Sequence, residues 1–213
     1  MLLKEACVEN FTDIPAALRA GANRIELNDN LTAGGTTVSR GVMAAAISYV
    51  HEHDARIVCM IRPRGGNFVY TDTELKIMET DLFAAQELGA DGVAFGALTN
   101  ANWLDEDAME NLIGAAGGME VVMHMAFDEI PEARQQEAID WLSDHDVTRI
   151  LTHGGPLSVP ITQTVPHLQQ LVKMATGKLE ILPGGGVTAA NVDELTAAIG
   201  VKQAHGTKVV TFK

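Results

Sequence analysis

The sequence predicts a TIM-like (β/α)8 barrel, on three observations. Eight short apolar runs recur along its 213 residues. Amphipathic helical patterns separate them, and strands joined through helices must pair in parallel. Polar residues gather at the carboxyl ends of the strands, where barrels carry their sites. An open doubly wound sheet is the competing architecture. No linker, low-complexity tract or charge run interrupts the repeat, so residues 1–213 read as one domain.

The elements follow in order from periodicity and punctuation. Leu2–Val8 is the first strand, and the helical pattern over roughly Thr12–Ala22 carries its stop signal, Gly21, in its last turn. Arg24–Asn28 is the second strand; Ser39 caps the helix over Ser39–His53, its side-chain oxygen pairing an orphaned amide. Arg56–Arg62 runs into a Pro-Gly loop, and Thr71 caps Thr71–Leu88 before Gly89. Gly92–Leu98 leads to Asp105, the cap of Glu106–Ala116. Glu120–Phe127 precedes a helix over Pro131–Asp144, and Arg149–His153 one over Pro166–Thr176, with Gly177 after it. Leu179–Pro183 leads to Ala189–Ile199, with Thr188 the expected cap and Gly200 the stop. Gln203–Val210 is the eighth strand, with a full final helix lacking.

Composition narrows the function. Fifteen basic against 28 acidic residues leave a net charge of −13, which repels nucleic acid over most of the surface. Small anions in a local basic pocket are compatible with it. No apolar run reaches the length of a membrane span, and an acid at Glu5 comes too early for a secretory signal, so the cytoplasm is expected. The two cysteines, Cys7 and Cys59, make no disulfide framework.

Alternation places side chains inside a barrel. Glu5, Cys7 and Glu9 share a face of the first strand; Arg24, Glu26 and Asn28 share one of the second. Met60, Arg62 and Arg64 share one of the third, and His124, Ala126 and Asp128 one of the fifth. Interior Glu5, Glu26, Arg62 and His124 cost desolvation unless they pair with one another or with a ligand. Glu5, Glu26, His124 and Asp128 are therefore the acid–base candidates. Arg62 and Arg64 in Arg62-Pro63-Arg64-Gly65-Gly66 read as an anion cradle. The Gly184-Gly185-Gly186 turn and the loop around His205 match a barrel phosphate site, and His153 also ends near a strand terminus. His51, His53, His145 and His167 fall on helices and read as solvated.

Several of these blocks carry a resemblance. Lys4-Glu5-Ala6-Cys7-Val8-Glu9 and Ala22-Asn23-Arg24-Ile25-Glu26-Leu27-Asn28 resemble the opening of the CutC copper-homeostasis proteins. Met60-Ile61-Arg62-Pro63-Arg64-Gly65-Gly66, His124-Met125-Ala126-Phe127-Asp128 and Pro183-Gly184-Gly185-Gly186 follow in the family's order. The resemblance implies a cytoplasmic barrel that self-associates, a dimer being the simplest form, and that handles copper. It implies Cys7 as a copper ligand. The family's second cysteine position holds Asn28 here, and an amide is a poor donor to Cu(I). Two functions stay open: Cu(I) binding through Cys7, or an enzyme of lyase, isomerase or hydrolase type acting on a small anionic or phosphorylated metabolite.

Overall fold

The computed structural model describes residues 2–211. Eight parallel strands form one sheet: β1 (Leu3–Glu9), β2 (Arg24–Asn28), β3 (Arg56–Met60), β4 (Gly92–Phe95), β5 (Glu120–Met123), β6 (Arg149–Thr152), β7 (Glu180–Pro183) and β8 (Gln203–Gly206). Their order is β7-β6-β5-β4-β3-β2-β1-β8, so the sheet curls until β8 comes back to β7. Between those two the ladder is reduced to a bridge at the carboxyl end, Thr188 to Lys208, with Ala189 N donating to Lys208 O at 2.7 Å. The barrel is nearly closed, and the seam lies between β7 and β8.

Among the described residues seven α-helices cover the outside: α1 (Ile14–Arg19), α2 (Arg40–His51), α3 (Asp72–Leu88), α4 (Glu106–Ala116), α5 (Gln135–Asp144), α6 (Ile161–Ala175) and α7 (Val192–Ile199). Among the described residues no helix follows β8. Ser39 and Asp105 cap α2 and α4 as expected, and Thr71 forms a reciprocal capping box with Glu74 on α3.

Strand alternation sorts the core into two. Ala6, Val8, Ile25, Leu27, Ile57, Cys59, Val93 and Phe95 point outward and pack under the helices. Val58, Met60, Ala94, Val122, Leu151 and Leu182 form a separate cluster inside the barrel, on β3 to β7. The interior of β8, β1 and β2 is polar instead, with Gln203, His205, Glu5, Arg24, Glu26 and Asn28 all buried.

Several sequence expectations change. The fifth strand stops at Met123, and a 3-10 helix over Met125–Glu129 replaces its predicted end. The third and eighth strands also end early, at Met60 and Gly206. Helix α6 begins at Ile161, five residues ahead of Pro166. Its buried stripe Ile161, Thr164, Leu168, Leu171 and Ala175 holds helical period straight through the proline, so packing outweighs the lost hydrogen bond. Thr188 does not cap α7; Asn191 Oδ1 accepts from Thr188 N at 2.8 Å, and the helix starts at Val192.

Candidate functional site at the barrel mouth

The polar arc is a single chain of contacts across β8, β1 and β2. Register sets it up, with Glu5 opposite both Arg24 and His205, and Cys7 opposite Glu26. Arg24 pairs with Glu5 through Nε and donates through Nη2 to Gln203 Oε1 at 2.9 Å. His205 Nδ1 donates to Glu5 Oε1 at 2.8 Å, while its Nε2 faces Glu26 Oε2 at 3.7 Å. Asn28 Nδ2 donates to Glu26 Oε2 at 2.8 Å and lies 3.4 Å from Cys7 Sγ.

Electrostatics follow from that geometry. Burial would raise the Glu5 carboxyl, but Arg24 and then His205 outweigh it and hold it at about 2. Burial would lower His205; Glu26, Cys7 and Glu5 together lift it well above the ordinary value, so it is an imidazolium at neutral pH. Burial, reinforced by the Glu26 charge, pushes the Cys7 thiol up to about 11, which keeps it protonated.

The opposite wall comes from β3, β5 and their loops. Arg62 is 4% exposed, and its guanidinium donates to three carbonyls: Nη1 to Ala33 and Gly35, both at 3.0 Å, and Nη2 to Gly66 at 2.7 Å. It stacks over Phe68. Among the described residues no carboxylate pairs with it, and its buried Nε has no acceptor. His124 is equally buried, and burial followed by the Arg62 charge pulls it down to about 3, so it is neutral. Its Nδ1 accepts from Ala126 N at 3.3 Å, which puts the ring proton on Nε2; that nitrogen has no partner.

Between the walls lies a cavity of about 500 Å³. Cys7, Glu26, Asn28 and His205 line one side, Arg62, Phe68 and His124 the other. The Gly185-Gly186-Val187 turn after β7 and the Thr207-Lys208 segment after β8 close it toward the seam. Among the described residues, no acceptor meets the N–H of Gly185, Gly186 or Val187.

The structure thus brings together Cys7, Glu26, Arg62, His124, Gly185, Gly186 and His205, with Glu5 directly beneath His205. It does not bring in four other candidates. Arg64 leaves strand geometry after Met60 and turns to Glu74 and the carbonyls of Asn67 and Val69, bracing its own loop. Asp128 sits on the 3-10 helix and accepts from Thr152 Oγ1, His153 N and Gly154 N, which fixes the loop after β6. His153 spans the carbonyls of Gly184 and Val159. Gly184 follows β7 and lies against Leu151 and His205, where a Cβ would meet Leu151 Cδ1 at 2.6 Å. Phe68 escaped the sequence reading because it lies on a loop with no periodicity.

A metal could find three donors here. Cys7 Sγ, a Glu26 oxygen and a His205 nitrogen lie within 4.8 Å of one another. Cu(I) prefers thiolate or thioether donors, and this set offers one sulfur, itself protonated, beside an imidazolium. Met60 and Met125 line the same cavity and add two thioether sulfurs. The set suits Cu(I) only once Cys7 and His205 give up protons.

Comparison with known proteins agrees with this architecture. The CutC family model matches residues 2–210. A CutC family protein of Enterococcus faecalis is 51% identical over 209 residues, covering 98% of this chain and all of the relative. The human copper homeostasis protein cutC homolog is 34% identical over 203 residues, 95% of this chain and 72% of its own length. The crystal structure of the CutC protein of Streptococcus agalactiae superposes with a TM-score of 0.96 at 47% identity, covering 99% of this chain and all of that one. The chain belongs to the CutC family.

Proposed function

We propose that the mouth binds a small anionic or phosphorylated metabolite and moves a proton on it, as an isomerase or lyase does. The observation that carries this reading is Arg62, a buried cation with no carboxylate partner and an unsatisfied Nε among the described residues, on a cavity of metabolite size. A buried charge is costly unless paired, and an anionic ligand supplies the pair. The free amides of the Gly185–Val187 turn and Lys208 offer further donors across the cavity.

The chemistry divides between the walls. Glu26 would take a proton from a carbon beside a ligand carbonyl. His124 Nε2–H and Arg62 would stabilise the negative charge then developing on the carbonyl oxygen, a neutral imidazole being a good donor there. The His205 imidazolium would return a proton. Glu5 and Arg24 act through His205 by holding its charge and orientation.

The test is a titration with inorganic phosphate, followed by NMR at the His124 ring. The expected result is a saturable shift of the Nε2–H signal at millimolar phosphate, weakened tenfold or more, about 1.4 kcal/mol, by Lys208→Gln. No saturable shift, or one indifferent to Lys208→Gln, rejects the reading.

Copper as cargo is a second reading, favoured by the clustering of Cys7, Glu26 and His205 and by the description of the human relative. Cys7→Ala should then weaken Cu(I) binding tenfold or more in a competition titration, and an unchanged affinity removes Cys7 from the reading. Both cysteines are free and buried, which suits a reducing compartment, and we propose the cytoplasm as the place of action.

A further inference from the structure

The amino-terminal end of the barrel holds a second cavity of about 510 Å³, at the far end from the mouth. It opens where β7 and β8 lack a ladder, with the last turn of α6 over it. We propose that it is a second ligand site, taking a small metabolite with a phosphate-monoester head and an apolar body.

Charge is the first support. Among the described residues, Arg24, Arg56, Arg149 and Lys202 line this cavity against Glu120 and Glu180, on a chain whose net charge is −13. Arg24 is matched inside the barrel by Glu5, and Glu120 is shared between Arg149 at 2.6 Å and Arg56 at 3.1 Å. Lys202 has no carboxylate partner among the described residues.

Arg149 is the second support. It is buried, its side chain 5% exposed, and its Nε meets no acceptor. Its neighbour across the ladder is Glu180, which would be the obvious partner. That carboxylate is instead held by Gln203 Nε2 at 2.7 Å. One face of a buried guanidinium fork is therefore left without an acceptor, and such forks fit phosphate oxygens. Leu3, Val172 and Ile181 supply the apolar wall.

A barrel's amino end more often serves stability. A purely structural ion cluster would leave no demand for an added anion, and that difference is measurable. Inorganic phosphate is titrated into the full chain while the Arg149 Nε–H resonance is followed, with chloride at matched ionic strength as control. The expected result is a saturable shift with phosphate alone. Lys202→Gln, at an exposed position that leaves the fold intact, should raise the half-saturating concentration at least threefold. Lys208→Gln at the mouth should leave it unchanged, so this site and the mouth fail separately. A non-saturating drift, the same shift with chloride, or indifference to Lys202→Gln overturns the proposal.

Discussion

Glu5 is buried between two cations, Arg24 and His205, and removing its charge leaves Arg24 without a carboxylate partner among the described residues and His205 with Glu26 alone. Glu5→Gln should therefore cost roughly 3–5 kcal/mol in urea unfolding, as loss of one partner from a buried pair does. The same groups set the pH dependence. Glu5 is held at about 2 against an ordinary 4.5, so its contribution is complete above 4.5 and drains away as pH falls toward 2. His124, held at about 3 against 6.5, stays neutral in the fold while the unfolded chain protonates, so stability also falls between 6.5 and 3. His205 has the opposite sign: raised in the fold, it stabilises below 6.5 and loses that contribution as pH climbs through its raised value. Unfolding free energy measured across pH should decline from 6.5 downward, and His124→Gln should flatten the stretch between 6.5 and 4.5. Glu5, Cys7, Arg24 and Glu26 were legible in the sequence because strand alternation holds along β1 and β2. Arg64 and Asp128 were misplaced for the converse reason, since the chain has left strand geometry before reaching them.

At the scale of elements, the seam between β7 and β8 decides most. The strands meet closely only at the mouth, where Gly206 lies against the Val187 carbonyl. A Cβ at Gly206 would come within 2.7 Å of that oxygen, and backbone cannot rotate aside as a side chain can. Gly206→Ala should push the strands apart at a cost of about 1–3 kcal/mol and weaken phosphate binding at the His124 signal. Unchanged stability and unchanged binding would mean that the seam is looser than the structure shows. The helix pattern was readable to within a few residues from caps such as Ser39, Thr71 and Asp105. Pro166 misled it, because a local rule about proline gives no notice of the buried stripe that carries α6 past it. The 3-10 helix over Leu31–Ala33, which Arg62 clamps at the mouth, has no periodic signal to find.

The whole molecule divides its barrel interior into an apolar arc on β3 to β7 and a polar arc on β8, β1 and β2. On a chain of net charge −13, the barrel carries two cavities, one at each end, whose linings hold more Arg and Lys than carboxylates. Arg24 belongs to the amino-end cavity and Arg62 to the mouth, and the Arg24–Glu5–His205 chain runs from one toward the other. Eight alternating runs made this architecture legible from sequence, whereas the split of the interior depends on pairing register, which only the closed sheet reveals. The mouth works as described only if it keeps a charged imidazole opposite a neutral one. Ring nitrogen chemical shifts of His124 and His205, followed from pH 4.5 to 9, test that directly. His205 should remain an imidazolium above pH 7 while His124 stays a neutral Nε2–H ring down to pH 4.5. Two histidines titrating together near the ordinary value would contradict it.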